Sequence, residues 1–417
     1  MMFLFYFKLR KVVILLGNRV EKHTIRRNHK LWRYCDELCF KSKNLYNYAN
    51  YIQRQRFINS EKNLTYKELT FELKYSDPFK DLGSNSAQHT LKMLDKSWKS
   101  FFTSIKDYGK NPNKYLGKPK PPKYKDKNGR HICVLTNMQS QIKDGYLYFA
   151  FKYLKPCNNL VKTNIQGKHL QTRIIPKGSC YVLEIVYETK DIELKHKKNR
   201  IMGIDLGVDN LATLTNNVGA KSIVINGRPI KSINQYYNKK RSELQSDLKK
   251  RHSRNFSSNL NKLQIKRDNK IDYVFHCASK SIINYAMVSD IDTMIIGLNK
   301  TWKQESGMNK VSNQNFISIP YEKLIKQIQY KAEENGIEVV ITEESYTSGC
   351  SFLDNEEICK GGYNKSRRIK RGLFKSNKGV VINADVNGAY NIIRKVFPNA
   401  FSNGIEGVGL HPIRVNV

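Results

Sequence analysis

An aspartate inside an apolar run is the first residue of this chain that could carry chemistry. Asp205 lies within Gly203–Leu206, and burying a charge there is costly unless another group compensates it. The glycines Gly203 and Gly207 would let a ligand approach the backbone closely. A metal ion satisfies both observations, although an Asp in a short strand often accepts hydrogen bonds from a turn instead.

Two further acidic motifs lie closer to the C-terminus. Asp385 stands at a predicted helix start, where its carboxylate could either cap backbone N–H groups or project into a metal site. Glu343 and Glu344 follow a predicted strand, Val339–Thr342. Successive strand residues point to opposite faces, so at most one of these glutamates faces a site on the neighbouring strand, and the other is a solvated charge.

Two aspartates and one glutamate brought together would suit hard divalent cations, because Mg²⁺ and Mn²⁺ prefer oxygen ligands. Two such ions about 4 Å apart activate a water molecule and stabilise the leaving oxygen in phosphodiester hydrolysis. We predict Asp205, Glu343, Glu344 and Asp385 as catalytic candidates, with Asp205, Glu344 and Asp385 as the metal ligands. The expected cofactor is Mg²⁺ or Mn²⁺, as two ions.

Composition indicates a polyanionic partner. The 417 residues contain 73 Lys and Arg against 36 Asp and Glu, for a net charge of +37. A surface this basic repels itself unless a polyanion neutralises it, and nucleic acid is the favoured polyanion. At the N-terminus, Lys8, Arg10 and Lys11 interrupt the apolar stretch Met1–Gly17, which predicts a β-strand and not a secretion signal or membrane anchor.

Eight cysteines are scattered along the chain without a dense framework. This pattern indicates a reducing intracellular compartment, and with the charge it predicts a cytoplasmic or nucleoid-associated protein.

The elements that must position the carboxylates follow an α/β rhythm. Apolar strands are predicted at Ile201–Leu206, Leu211–Asn216 and Ser222–Ile225, followed by alternating helices and strands. A long basic helix is expected from about Ser232, and a last helix from about Asp385 to Phe397. Three strands and then alternation predict a mixed α/β sheet.

The first half is predicted to be a β-rich module around a helical insertion at about residues 30–110. Leu91, Leu94, Trp98 and either Phe101 or Phe102 recur at helical spacing there and indicate core packing. The basic run Lys110–Arg130, rich in Pro and Gly, forms no regular element. It is interpreted either as a solvated linker or as a segment that tracks phosphates with Lys and stacks bases on Tyr.

The chain resembles the TnpB family, insertion-sequence proteins related to type V CRISPR effectors. The matching pieces, in this order, are GIDLGVDNLATL (Gly203–Leu214), NGRPIKSINQYYNKKRSEL (Asn226–Leu244), YTSGCSFLD (Tyr346–Asp354) and INADVNGAYNI (Ile382–Ile392). The resemblance implies a RuvC-type RNase H-like domain at 199–417 behind a wedge with a helical recognition region at 1–198. It implies RNA-guided cleavage of double-stranded DNA, with a guide RNA from the transposon end. Asp205 matches the family's first catalytic aspartate and Asp385 the last.

The chain departs from the family pattern at the catalytic glutamate. The family usually carries it at the end of the strand that here reads Thr293–Asn299, where Ile296 and Gly297 cannot bind a metal. Glu343 or Glu344, at the end of the next strand, would lie about 5 Å further across the sheet if the two strands are neighbours. A rearranged site is therefore predicted, and Glu305 is a weaker candidate.

A second departure concerns the family's zinc ribbon, which many members close with two CxxC pairs. Here Cys350 and Cys359 are nine residues apart, and Leu373–Gly379 supplies no second pair. Two thiolates cannot close a tetrahedral site, so a metal-free remnant is predicted at about residues 346–380, and zinc is not expected.

Three functions remain open from the sequence. The favoured one is a metal-dependent, RNA-guided DNA endonuclease. The missing glutamate favours a nuclease-dead RNA-guided DNA-binding protein or repressor, which the retained Asp205 and Asp385 disfavour. The third is a DNA-only transposase accessory or strand-transfer protein. The sequence does not reveal the oligomeric state.

Overall fold

A computed structural model describes residues 14–15, 18–189, 192–194, 199–252, 256–298, 314, 316–370, 372–402, 404 and 409–417. The chain divides into two compact units, one of residues 16–190 and one of residues 191–417 with residues 1–15. In the described part of the chain, every helix is too short or too polar to cross a membrane. The strand predicted at the N-terminus lies almost wholly outside the described residues; β1 (Ile14–Leu15) pairs with β8 (Ile192–Glu193).

The unit of residues 16–190 contains an antiparallel sheet in the order β2-β7-β6-β3. Its strands are β2 (Asn18–Ile25), β3 (Cys133–Thr136), β6 (Lys168–Lys177) and β7 (Cys180–Glu188), and a separate hairpin joins β4 (Ser140–Lys143) to β5 (Tyr146–Phe149). The alternating apolar pattern of Ser179–Glu188 explains β7, which lies between β2 and β6. The β-rich prediction for this region is confirmed.

Four helices form the insertion: α1 (Trp32–Ile58), α2 (Tyr66–Leu73), α3 (Asp77–Leu82) and α4 (Ser84–Lys110). Helix α2 begins with a capping box, in which Thr65 and Glu68 satisfy each other's backbone N–H groups. Leu91, Leu94 and Trp98 on α4 are buried in the hydrophobic core, as the spacing predicted.

The unit of residues 191–417 contains a six-stranded mixed sheet in the order β13-β12-β9-β10-β11-β16. The strands are β9 (Ile201–Leu206), β10 (Asn210–Asn216), β11 (Ile223–Asn226), β12 (Thr293–Gly297), β13 (Glu338–Thr342) and β16 (Ile413–Val415). Strands β9, β10 and β11 form an antiparallel meander, and β12 and β13 continue the sheet parallel to β9. This is the predicted RNase H-like α/β arrangement.

The helices of this unit are α5 (Arg228–His252), α6 (Ser258–Val288), α7 (Tyr321–Glu334) and α8 (Ala384–Val396). Helix α6 begins at Ser258, where the Ser257 side chain caps it by accepting a hydrogen bond from the backbone N–H of Leu260 at 3.2 Å. Hydrophobic cores cover both sheet faces; Met202, Ile204 and Leu206 belong to one, and Ile201 to the other.

Helix α8 lies unusually close to β9. A Cβ atom on Gly203 would fall 2.4 Å from the carbonyl oxygen of Ala389, so only glycine permits this approach. The glycine thus brings the N-terminal half of α8 against the strand that carries Asp205. A short hairpin, β14 (Leu373–Lys375) with β15 (Val381–Asn383), leads directly into α8.

Candidate active site

Asp205 lies near the end of the central strand β9. It is opposite Thr213 of β10, and its side chain is partly buried while its neighbours Ile204 and Leu206 are fully buried. A Cβ atom on Gly388 of α8 would lie 2.9 Å from Asp205 Oδ2. The absence of a side chain at Gly388 therefore lets this carboxylate approach the α8 backbone closely.

Asp385 lies in the first turn of α8 but does not cap the helix. Asn383 is the N-cap, and its Oδ1 accepts hydrogen bonds from the backbone N–H groups of Asp385 (3.0 Å) and Val386 (3.2 Å). The capping alternative for Asp385 is therefore wrong, because Asn383 already satisfies these donors. Its Oδ2 instead accepts a hydrogen bond from Asn210 Nδ2 at 2.7 Å.

The two adjacent glutamates differ in environment. Glu343 is exposed and accepts a hydrogen bond from Ser345 Oγ at 2.8 Å. Glu344 is partly buried, and its Oε2 lies 2.8 Å from the point where a Cβ atom on Gly297 would stand. Strands β12 and β13 are parallel neighbours that pair Gly297 with Thr342, which is the relation the sequence argument assumed.

The Glu344 carboxylate therefore lies beside Gly297, which with Ile296 stands where the resembled family usually has a glutamate. The side chain reaches back by one strand into the space that Gly297 leaves empty. Glu305, the weaker candidate, lies outside the described residues.

Three carboxylates influence one another here. Burial raises the pKa of Asp205 well above its usual value, and the negative charges of Glu344 and Asp385 raise it further, while Arg368 opposes the shift. The arrangement concentrates negative charge in a poorly solvated place, which is unfavourable without a cation.

Tyr321 and Asn210 belong to the site, although the sequence argument did not single them out. The Tyr321 hydroxyl donates to the carbonyl oxygen of Gly207 at 2.8 Å. Burial raises its pKa strongly, and the charges of Asp205 and Glu344 add to that effect. Tyr321 begins α7, and its ring packs against that of Phe316 at an interplanar angle of 45°, with ring centroids 5.6 Å apart. The sequence pointed to Asn210 only through its position inside the matched motif Gly203–Leu214, and the motifs do not include Tyr321.

The donor set fits a hard divalent cation. Carboxylate and amide oxygens are its preferred ligands, and a cation would offset the repulsion that raises the pKa of Asp205. Gly297 and Gly388 carry no side chain that would crowd the oxygens of Glu344 and Asp205. Within the described ranges, no group of three His, Cys, Asp or Glu side chains has the arrangement that would hold a metal ion.

The insertion at residues 346–380 is held by an ionic network. Arg367 Nη1 lies 2.6 Å from Glu356 and 3.8 Å from Asp354, and its Nη2 donates to Asn377 Oδ1 at 2.7 Å. Asn377 in turn donates its backbone N–H to Asp354 and its amide to Glu356. The same loops carry Cys350, which is buried, and Cys359, neither in a disulfide.

Comparisons with known proteins agree with the motifs. The family described as "Probable transposase" (OrfB_IS605) matches residues 184–303, and "Cas12f1-like, TNB domain" matches residues 321–392. The TnpB-like protein ORF457 of Acidianus two-tailed virus is 25% identical over 433 residues, which cover 92% of this chain and 86% of that protein. The CRISPR-associated endodeoxyribonuclease Cas12f2 of Micrarchaeota archaeon (strain CG1_02_47_40) is 28% identical over 285 residues, 63% of this chain and 48% of that protein.

Two solved structures are also similar in outline. A Cas12f1-sgRNA-target DNA complex gives a TM-score of 0.37 at 16% identity, covering 90% of this chain and 98% of that one. The mini-RNA-guided endonuclease CRISPR-Cas_phi3 gives 0.46 at 10% identity, covering 93% of both chains. The family matches and the viral relative support a TnpB-family protein related to type V effectors.

Proposed function

We propose that this TnpB-family chain is an RNA-guided DNA endonuclease whose Asp205, Glu344 and Asp385 hold two divalent cations, Mg²⁺ or Mn²⁺. The observation that carries the proposal is the Glu344 carboxylate, which fills the space left by Gly297 and acts electrostatically on Asp205. This favours a rearranged catalytic site over an inactive one, since a third carboxylate is restored from the neighbouring strand.

Each residue has a separate task in this proposal. Asp205 supplies a ligand from the central strand, and Asp385 supplies one from α8. Asn210 orients the Asp385 carboxylate by donating to one of its oxygens, leaving the other oxygen available. Tyr321 fixes the carbonyl oxygen of Gly207 and so the backbone that follows Asp205. When bound, the cations activate water and stabilise the leaving oxygen of the phosphodiester.

Glu343 is not part of the proposed ligand set. It was a catalytic candidate because sequence cannot tell which of two adjacent glutamates faces inward. Its exposure and its hydrogen bond from Ser345 make it the solvated member of the pair. It therefore serves as a matched control, one residue from Glu344 and of the same chemistry.

The proposed partners are a guide RNA from the transposon end and a double-stranded DNA target. A net charge of +37 favours a polyanionic partner, and one curated relative is named as an endodeoxyribonuclease. The nuclease-dead binding protein stays the second candidate, because Gly297 replaces the family's usual glutamate.

The test is loss of a targeted plasmid in cells that express the gene with its flanking DNA. Wild type and Glu343→Gln should eliminate the plasmid, whereas Asp205→Ala and Glu344→Gln should lower cleavage by about a thousandfold or more. Guide RNA that co-purifies with every version would show that folding and RNA binding survive. Equal plasmid retention by all versions, with RNA bound, would refute the nuclease and favour guided binding.

A further inference from the structure

The basic run that sequence left between two interpretations is a fixed part of the fold. Residues 118–127, here called the strap, have no helix or strand, but their backbone is bonded to one face of α1. Four carbonyl oxygens of the strap, those of Pro121, Pro122, Lys125 and Lys127, accept hydrogen bonds from α1 side chains. The solvated-linker interpretation is therefore wrong for this segment.

The donors form a stripe along α1, spaced by one or two helical turns. Lys43 Nζ donates to the Lys127 carbonyl at 2.7 Å, and the Asn47 amide donates to and accepts from the Lys125 backbone at 2.9 and 2.8 Å. Asn50 and Arg54 both donate to the Pro122 carbonyl, at 3.1 and 3.0 Å.

This stripe has a consequence for the lysines. Asn50 is fully buried and Lys43 is 4% exposed. Their polar groups therefore form hydrogen bonds with the strap and not with water. Several backbone groups of the strap are thus bonded to α1, while its lysine side chains lie at the surface. Lys120, Lys123 and Lys125 are all exposed, and prolines at 119, 121 and 122 keep the chain extended.

A groove of about 730 Å³ lies between the strap and α4. Its lining includes Tyr46, Lys96, Phe101, Lys120, Lys123 and Tyr124. In the described part of the chain, no carboxylate forms an ion pair with Lys96, Lys120 or Lys123, although the nearby Lys99 and Lys114 pair with Asp95 and Asp107. The groove therefore combines uncompensated positive charge with aromatic rings.

We propose that this strap groove binds the phosphodiester backbone of a single-stranded polynucleotide. The lysines would contact phosphates, and the exposed part of the Tyr124 ring, over which Arg54 lies at 5.1 Å, would contact a base. The positive charge of the groove complements phosphate groups, and α1 holds the strap in place before any ligand binds. Lysines mounted on a fixed backbone lose less freedom on binding than lysines on a mobile linker. The proposal rests on the nucleic-acid partners of the proposed function, but not on cleavage.

The test measures binding by the full-length chain in EDTA, with labelled uridine and thymidine oligomers across a salt series. The triple variant Lys96→Gln/Lys120→Gln/Lys123→Gln should bind roughly tenfold more weakly or worse. Its slope of log affinity against log salt should fall by about 2, since each phosphate contact on a single strand contributes about 0.7.

A charge-matched control separates this groove from general attraction. Lys62→Gln/Lys67→Gln/Lys80→Gln removes the same charge from exposed positions outside the groove and should change affinity and slope much less. A second variant, Asn47→Ala, keeps every charge but loosens the strap. It should weaken binding a few-fold with the slope unchanged.

If the groove triple variant loses affinity for uridine oligomers, the bound strand is RNA. If it loses affinity for thymidine oligomers, the bound strand is DNA. Equal behaviour of the groove and control triples, each folded by circular dichroism, would overturn the proposal while leaving the proposed nuclease untouched. If the wild-type chain binds neither oligomer, the proposed nucleic-acid partners fail as well.

Discussion

Asp36 and Asp205 are partly buried aspartates in the two units of the chain, and their surroundings are opposite. In residues 16–190, Asp36 receives Arg130 Nε at 3.0 Å and Nη2 at 2.8 Å, with a further hydrogen bond from the Tyr181 hydroxyl. In residues 191–417, Asp205 acts against Glu344 and Asp385, two charges of its own sign. The first carboxylate is compensated by hydrogen bonds within the protein, and we propose that a bound cation compensates the second.

The pKa directions express the same contrast. Burial alone would raise the pKa of Asp36, but the hydrogen bonds from Arg130 and Tyr181 outweigh it, so its pKa is lowered. Burial and like charge act in the same direction at Asp205 and raise its pKa. A carboxylate paired with a cation and a hydroxyl, such as Asp36, stabilises the fold. A cluster of carboxylates that raise one another's pKa is more typical of a functional site.

The largest effect is expected when the third carboxylate of the proposed site, that of Glu344, is removed or moved to another position. Glu344→Ala should lower DNA cleavage by about a thousandfold. Gly297→Glu/Glu344→Ala returns a carboxylate to β12, the strand beside β9, and should recover at least about tenfold of that loss. The reason is that Glu344 Oε2 already lies 2.8 Å from the Cβ position of Gly297; the end of the Ile392 side chain, 2.5 Å from that position, must shift to admit the new residue. Cleavage of a guided DNA substrate is the measurement.

The control for this exchange is Gly297→Gln/Glu344→Ala, which has nearly the same shape without the charge. It should stay as inactive as Glu344→Ala. Recovery by the Gln version, or no recovery by the Glu version while the protein stays folded, would show that Glu344 does not supply the missing carboxylate.

The same Asp→Asn substitution should have opposite effects on stability at Asp36 and at Asp205. Asp36→Asn should destabilise its unit by about 1–3 kcal/mol, because Arg130 loses a charged, two-pronged partner. Asp205→Asn, in EDTA at neutral pH, should instead stabilise its unit by roughly 1 kcal/mol, because it removes one of several like charges. Hydrogen exchange of peptides from α1 and β9 reports each unit separately, and the same sign for both variants would contradict the contrast.

The Asp36 effect also has a defined pH dependence. Its folded-state pKa is lowered, so its stabilisation is present above the unfolded value of about 3.9 and is lost as pH falls through the folded value. The difference in unfolding free energy between wild type and Asp36→Asn should therefore be constant near neutrality and shrink in acid. A difference that grows in acid would mean that another group carries the effect.

Sequence reasoning reached the sheet and the acidic residues because periodicity and unusual burial of charge are visible along the chain. It placed Asp205 in an apolar strand and recognised that one of two adjacent glutamates must face outward. It could not distinguish Asn383 from Asp385 as the cap, since both residues suit that position. Nor could it see the α1 stripe hold the strap, because hydrogen bonds across some 80 residues leave no local pattern.

The smallest expected effect concerns the insertion at residues 346–380, where the chain again compensates charge internally. Arg367 joins Asp354, Glu356 and Asn377, and so links loops that two thiolates alone could not close around zinc. Cys350→Ala/Cys359→Ser should therefore change the unfolding free energy by about 1 kcal/mol or less and leave the metal content unchanged. Arg367→Met should destabilise more, because it leaves two carboxylates facing each other. Mass spectrometry that finds one zinc ion per wild-type chain and none in the cysteine variant would contradict this prediction. The insertion would then be held mainly by the Cys350 and Cys359 thiolates and not by Arg367.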